Sequence, residues 1–233
     1  MNTEYIKNYR EKELRQYVLA YLLIAIACIG FQTHIDGANS VTFESLFKMF
    51  FTDVFVGAIC VLVLVLNEVW PDKIKARILY KQMPSDTVFS DIMHNRIDSP
   101  GFDIDKAKTL YAEFGSASPN KQSAEWNLLL RAARKAEAGN VIEAERLQLM
   151  TRDVCMTNVS LLIMNIIAII VVATVNCDII YSLKMLGLPI IYLSVMFFVT
   201  KAAARTRAKR FVSLVVKNDV QEQTVKERLI QEK

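Results

Sequence analysis

The sequence predicts an all-α integral membrane protein, with four transmembrane helices in two hairpins and a cytoplasmic helical domain between them. Of the 233 residues, 53% are hydrophobic and only 22% are charged, and the mean hydropathy is +0.26. The apolar residues form blocks instead of being spread through the chain, which is typical of membrane proteins. The clearest blocks cover 155–176 and 185–200, each close to the roughly 20 residues that a membrane-spanning helix needs.

The blocks divide the chain into four parts. Residues 1–70 form an N-terminal cytoplasmic helix and the first hairpin, whose spans cover about 17–32 and 47–70. Residues 71–153 form the cytoplasmic domain, and residues 154–200 form the second hairpin. Residues 201–233 form a basic juxtamembrane helix and a C-terminal tail.

The second hairpin has spans at 155–176 and 185–200, joined by a short loop at 177–184. No Gly or Pro interrupts 140–176, so one continuous helix is expected to run from the domain through span three.

Basic residues flank the predicted spans on one side of the membrane. They are Lys7, Arg10, Lys12, Arg15, Lys73, Lys75, Arg77, Lys81, Lys201, Arg205, Arg207, Lys209 and Arg210. The opposite loops hold one lysine each, Lys48 and Lys184. Because cytoplasmic loops carry the excess of Lys and Arg, this pattern predicts a multi-pass membrane protein with cytoplasmic N- and C-termini. The five basic residues after span four are expected to meet anionic headgroups, together with Phe211, Leu214 and Val215.

The predicted cytoplasmic domain contains short amphipathic helices. Ser85 is expected to cap the first of them. The second is predicted from an apolar stripe at helical spacing that begins at Ile104 and is closed by Gly115. The third is expected to open at Asn120 and end at Gly139. Acidic and basic residues nearly balance in this domain, which argues against direct nucleic-acid binding.

Polar residues inside the predicted spans are the most informative candidate site residues. Asn158, Asn165 and Asn176 fall within about 20° of one another on span three at about 100° per residue. Asp53 and Asn67 share a broader face of span two. These residues either line a water-accessible path or join helices by hydrogen bonds, which is the commoner use in helical bundles. Asp53 also fits an outer-interface carboxylate.

Signatures of enzyme chemistry are not found in the sequence. There is no Gly-rich phosphate loop, no G-x-S-x-G motif and no Cys with a His partner. Asp91, His94 and Asp98 supply three side chains that could bind a metal, too few for a complete site. We therefore expect no catalytic residues, no metal and no cofactor.

Two further pairs of residues are each compatible with two interpretations. Trp126 and Phe114 could form a stacking platform, but core packing is the interpretation we favour. Arg152 and Asp153 lie at the domain–membrane junction, where headgroup anchoring and local charge pairing compete with a latch between domain and spans. The partner or ligand surface is not identifiable from the sequence.

The middle of the chain resembles small bacterial four-span membrane proteins. The residues that carry the resemblance are Met83-Pro84, Phe89, Arg96-Ile97-Asp98, Gln122, Trp126 and Thr151-Arg152-Asp153 ahead of a span. Proteins of this layout occur in antiphage defence, as Kiwa-like membrane subunits or as membrane effectors of retron and cyclic-nucleotide systems. The resemblance covers about 80–155 and the topology, and it implies antiviral defence without supplying catalytic residues.

The resemblance implies a protein of the bacterial inner (plasma) membrane, and the resulting hypothesis is a homo-oligomeric sensor or effector in that membrane. Its cytoplasmic domain would respond to a ligand or partner, and its spans would alter membrane integrity or form an ion channel or pore. The alternative is a non-catalytic anchor or scaffold subunit that recruits a cytosolic partner protein. A small transporter has less support, because the two hairpins show no repeat. The partners expected are the lipid bilayer, further copies of the chain and a cytosolic protein.

Overall fold

The computed structural model describes residues 12–25, 27, 61–63, 65–80, 84–96, 102–136, 138–176 and 179–231. Most of these residues are helical, and none of them lies in a strand. Helical residues at 12–25, 61–63 and 65–69 precede seven complete helices. These are α1 (Asp72–Tyr80), α2 (Pro84–Met93), α3 (Ile104–Leu110), α4 (Ala112–Gly115), α5 (Pro119–Lys135), α6 (Gly139–Asn176) and α7 (Ile179–Gln231).

The chain forms two compact units. The first, which we call the helical domain, comprises Asp72–Thr151 and Ala202–Lys233. The second, which we call the apolar unit, comprises Asn2–Pro71 and Arg152–Lys201. Helices α6 and α7 each contribute residues to both units.

Aromatic residues organise the core of the helical domain. The ring of Trp126 on α5 meets the ring of Phe211 on α7 edge-on, with centroids 5.7 Å apart. Phe89 of α2 lies 5.0 Å from Tyr111 and 5.5 Å from Phe114. Such tilted aromatic pairs contribute about 0.5–1.5 kcal/mol beyond the apolar area they bury. The prediction of core packing for Trp126 and Phe114 is therefore confirmed.

The C-terminal half of α7 supplies a large part of this core. Its buried residues are Phe211, Val212, Val215, Val216 and Val220, and the partly buried Leu214 packs against them. The basic residues beside them predict that Phe211, Leu214 and Val215 lie on a helix at the lipid surface. In the structure they contact the helical domain, because that domain's short helices present the apolar surface they can cover.

The long helix predicted from about residue 140 to 176 is confirmed, since α6 runs from Gly139 to Asn176. The predicted loop at 177–184 is too long, because α7 already begins at Ile179. No Gly or Pro lies in 179–186, so nothing in this stretch stops a helix from forming there. Residues 177–178 lie outside the described part of the chain.

Three boundaries in the helical domain also differ from the prediction. The helix expected from Ile104 to Gly115 is divided at Tyr111, whose φ and ψ of −109° and 17° are not helical. Helix α2 begins at Pro84, so Ser85 lies in its first turn and does not cap it. Helix α5 ends at Lys135, and Gly139 instead opens α6.

Polar contacts tie the domain helices together. The Nε of Arg134 donates to Oε2 of Glu145 at 3.0 Å, and this hydrogen bond raises the pKa of the Arg134 guanidinium. The hydroxyl of Tyr111 donates to Asp219 on α7. Burial, followed by that carboxylate, raises the pKa of Tyr111, so this phenol stays protonated as a donor.

Two glycines offer a direct test of the domain packing. A methyl group on Gly115 would lie 2.4 Å from Cγ of Met93, whereas nothing lies within 4 Å of the same position on Gly139. We expect Gly115→Ala to lower the free energy of unfolding of the domain by about 1–3 kcal/mol through overpacking. Gly139→Ala, in the first turn of α6, is expected to be neutral or stabilising by up to about 1 kcal/mol. Thermal unfolding followed by circular dichroism measures both, and equal effects would contradict this packing.

Candidate functional site

The apolar unit has a small interior and a largely apolar exterior. Its buried core consists of Val18, Tyr21, Val63, Leu161 and Leu193. Large apolar side chains are exposed on every described segment of the unit, among them Leu23, Val69, Ile166, Ile170, Ile191, Val195 and Phe198. Water-soluble proteins expose large apolar residues mostly singly, so this number of them on one unit indicates a surface that lipid or another chain covers.

Among the described residues, two helices are long and apolar enough, by length and composition, to cross a membrane. The qualifying stretches lie within Gly139–Ile170 of α6 and Gly187–Ile230 of α7. Only 44% and 22% of their most apolar windows are buried within the structure. The core helix of a soluble protein would be mostly buried, so these exposed fractions favour helices that face lipid. Residues 26 and 28–32 of predicted span one lie outside the described residues, as do residues 47–60 and 64 of predicted span two.

Asn158 on α6 is the centre of a hydrogen-bond network within the apolar unit. Its side chain is fully buried, with 0% exposure. Its Oδ1 accepts from the hydroxyl of Tyr17 at 2.6 Å, and its Nδ2 donates to Oγ1 of Thr200 at 3.2 Å. The Thr200 hydroxyl in turn donates to the carbonyl oxygen of Met196 at 2.6 Å. One amide thus joins the helical segment 12–25, α6 and α7.

A second connection lies two turns further along α6. The Nδ2 of Asn165 donates to the hydroxyl of Tyr21 at 2.8 Å and also to the carbonyl oxygen of Leu161. The ring of Tyr21 stacks on Tyr192 of α7 with centroids 6.3 Å apart. These contacts are those expected if the asparagines join helices by hydrogen bonds.

The remaining residues of the predicted polar face have different surroundings. Asn67 is 5% exposed, and its Oδ1 has no hydrogen-bond partner among the described residues. Asn176 is the last residue of α6, but its side chain lies outside what the structure describes. Asp53 also lies outside the described residues. A single continuous stripe is therefore traced only through Asn158 and Asn165.

The five basic residues after span four have different contacts. Lys201 lies over the ring of Phe197, with its Nζ 5.1 Å from the centroid. The Nε of Arg205 donates to the carbonyl oxygen of Leu79 at 2.7 Å, in the last turn of α1 where a cation is favourable. Arg207 contacts the carbonyl oxygen of Leu147 at 3.4 Å. Lys209 and Arg210 are exposed.

The predicted junction residues form a local ion pair. The Nε of Arg152 lies 3.2 Å from Oδ1 of Asp153, and the Asp153 side chain is 1% exposed. This contact matches the charge-pairing interpretation.

His94 and Asp91 have separate contacts in the helical domain. The Nδ1 of His94, which follows the last residue of α2, lies 2.7 Å from the carbonyl oxygen of Ser90 on that helix. Asp91 accepts from Thr87 at 3.1 Å and pairs with Arg96 at 3.5 Å. Asp98 lies outside the described residues. Within the described part of the chain, no group of three acidic, His or Cys side chains could hold a metal.

Sequence reasoning did not identify the tyrosines as partners of the asparagines. Tyr17 and Tyr21 are four residues apart on one helix, so they share a face. Asn158 and Asn165 are seven residues apart on another helix and also share a face. The sequence does show two polar side chains at helical spacing on each of these two segments. That spacing does not specify which helices pack together, so it does not predict which tyrosine bonds to which asparagine.

Comparison with known proteins gives no relative for this chain: no family model, curated protein or solved structure matches it. The contacts described above are therefore the observations on which functional proposals rest.

The hydrogen bond between Tyr17 and Asn158 can be measured by a double-mutant cycle. We expect Tyr17→Phe and Asn158→Ala to be non-additive, with a coupling free energy of about 0.5–1 kcal/mol, as found for hydrogen bonds between membrane helices. The measurement is the free energy of unfolding of the full chain in mixed micelles as SDS is added. Tyr21→Phe combined with Asn158→Ala is the matched control, because the Tyr21 hydroxyl contacts Asn165 instead. Additivity in the Tyr17 cycle would contradict the network.

Proposed function

We propose that the protein is a four-span inner-membrane protein with both termini in the cytoplasm. Helices α6 and α7 would supply spans three and four, and the segments that contain residues 17–25 and 61–69 would supply spans one and two. The apolar exterior of the described parts of these segments supports this topology. The excess of basic residues next to the spans supports its orientation.

The function we propose is that of a homo-oligomeric sensor or effector that alters membrane permeability when its helical domain binds a ligand or partner. The observation that carries this proposal is the contrast between the two units. The helical domain has its own buried core, whereas the apolar unit exposes many large apolar residues and pairs Asn158 and Asn165 internally. We also propose a role in antiviral defence, and the support for it is the resemblance of residues 80–155 to membrane proteins of antiphage systems.

The continuous helix α6 offers a route from ligand binding to the membrane. Residues 139–151 belong to the helical domain, and residues 152–176 belong to the apolar unit. A change in packing around Val141 or Ala144, both in the domain core, would act on the same helix that carries Asn158. Because a helix transmits displacement along its axis, binding could shift the hydrogen-bonded contacts of Asn158.

Two lysine substitutions test the membrane placement of α6. Ile166 is 51% exposed in the apolar unit, and Leu128 is 58% exposed in the helical domain. Ile166→Lys is expected to cost about 2.5–3.5 kcal/mol of insertion free energy and to reduce the carbonate-resistant membrane fraction. Leu128→Lys is the matched control and is expected to leave that fraction unchanged. Equal fractions for both variants would contradict a span at Ile166.

Dye release from liposomes tests the permeability function. The full chain is reconstituted at increasing density into phosphatidylethanolamine–phosphatidylglycerol liposomes that contain a self-quenching dye. We expect release to rise more steeply than linearly with protein density, because several copies would form each permeable assembly. Leu128→Lys is expected to behave like the unaltered chain. Density replaces the ligand as the trigger of assembly in this experiment, so absence of release from correctly folded protein at every density would contradict a pore formed by self-assembly.

A second candidate function is a membrane anchor for a cytosolic protein. It is favoured by exposed apolar side chains on the helical domain, namely Leu128, Val225, Leu229 and Ile230. An anchor would give no dye release, and Leu229→Glu would abolish recruitment of the partner while leaving the protein in the membrane.

A further inference from the structure

A groove in the helical domain lies between the first turns of α6 and the middle of α7. Its volume is about 400 Å³, which lies within the roughly 300–1,000 Å³ of small-molecule sites. Arg207 and Arg210 of α7 line it together with Asn140 and Glu143 of α6. Ala144 and Leu147 add an apolar wall. The groove therefore combines two cations, one amide, one carboxylate and an apolar surface.

The two arginines are unlike those that stabilise the fold elsewhere. Arg134 is paired with Glu145, and Arg96 with Asp91. Among the described residues, no carboxylate lies within 4.0 Å of either Arg207 or Arg210, and the hydrogen bond of Arg207 to the Leu147 carbonyl is long at 3.4 Å. A guanidinium has five N–H donors, so most of the donors at this groove are available to a ligand.

The carboxylate of Glu143 in the groove disfavours ligands that carry only negative charge. A bare anion would be attracted by the arginines but repelled by this carboxylate. A phosphate ester with an ammonium or hydroxyl group near the phosphate satisfies both, because the arginines pair with phosphate oxygens and Glu143 accepts from the ammonium or hydroxyl. The Asn140 amide can donate to either part, and the apolar wall can cover carbon atoms of the ester.

We propose that this groove is a binding site for a phosphate ester that carries hydrogen-bond donors beside its phosphate. A phospholipid headgroup such as phosphoethanolamine and a soluble nucleotide share this chemistry. The inference deepens the proposed function by giving the helical domain a ligand class. The effect of binding on the membrane rests on the proposed function. Binding itself does not, because it is measured without any permeability readout.

The experiment uses the full purified chain in a non-ionic detergent and has two arms. In the lipid arm, native mass spectrometry measures retention of phosphatidylethanolamine against phosphatidylcholine, whose phosphate has no neighbouring donor. In the soluble arm, microscale thermophoresis measures binding of AMP against adenosine, which has no phosphate. Preferential binding of phosphatidylethanolamine or of AMP supports the site and identifies the source of its ligand.

Variants on α7 distinguish the groove from general charge attraction. Arg210→Gln is expected to weaken binding about tenfold, the contribution of one charge-assisted hydrogen bond. Lys209→Gln is the matched control, since it removes the same charge from the adjacent exposed position outside the groove, and its affinity is expected to be unchanged. Glu143→Gln is expected to reduce the preference for phosphatidylethanolamine over phosphatidylcholine, or for AMP over inorganic phosphate.

Three outcomes would overturn the proposal. They are binding of neither probe by the folded chain, equal loss of affinity in Arg210→Gln and Lys209→Gln, and a preference unaffected by Glu143→Gln. Dye release without binding would leave the proposed function standing and refute only the ligand class. Binding of either probe without dye release in the presence of that probe would support the ligand class and refute the permeability function.

Discussion

The buried amide of Asn158 is the interaction on which the apolar unit depends. It has no exposed surface, and both its oxygen and its nitrogen are hydrogen-bonded, to Tyr17 and Thr200 respectively. Exposed apolar residues are compatible with many orientations of each helix about its own axis. The two hydrogen bonds of Asn158 can form in very few of these orientations. The alternative in a membrane is an unpaired polar group in hydrocarbon, which costs several kcal/mol. The pairing therefore fixes the rotation of three segments, and Asn165 with Tyr21 fixes two of them again.

The helical domain is held together by a different kind of interaction. Its short helices α2–α5 have too little apolar surface to form a core alone, and the C-terminal half of α7 supplies Phe211, Val215 and Val216 to complete it. The hydroxyl of Tyr111, between α3 and α4, donates to Asp219 on α7. Loss of this part of α7 would therefore expose Trp126 and Phe89. Residues 202–231 are thus part of the domain and not an independent tail.

The sequence was sufficient for the helical fold class and for the extent of α6, because long apolar runs and the absence of Gly and Pro act locally. It also indicated that Asn158 and Asn165 share a face. It could not give their partners, since Tyr17 is 141 residues from Asn158. The apolar face of α7 was assigned to lipid because lipid and a protein core select the same residues. The sequence does not predict the groove at Arg207 and Arg210 for a related reason, because basic residues beside a span are equally compatible with contact to lipid headgroups.

The contacts of Asn158 restrict how this protein could permeate a membrane. A side chain that is fully buried and bonded on both sides cannot line a water-filled path within one chain while those bonds persist. Permeation would need either a path between copies of the apolar unit or a rearrangement that breaks the Tyr17 and Thr200 contacts. In the second case, the released amide and hydroxyls would become pore-lining groups, and water would replace the lost bonds. Because water would replace them, losing these bonds would cost about 1 kcal/mol each, a contribution that the binding of one ligand can offset.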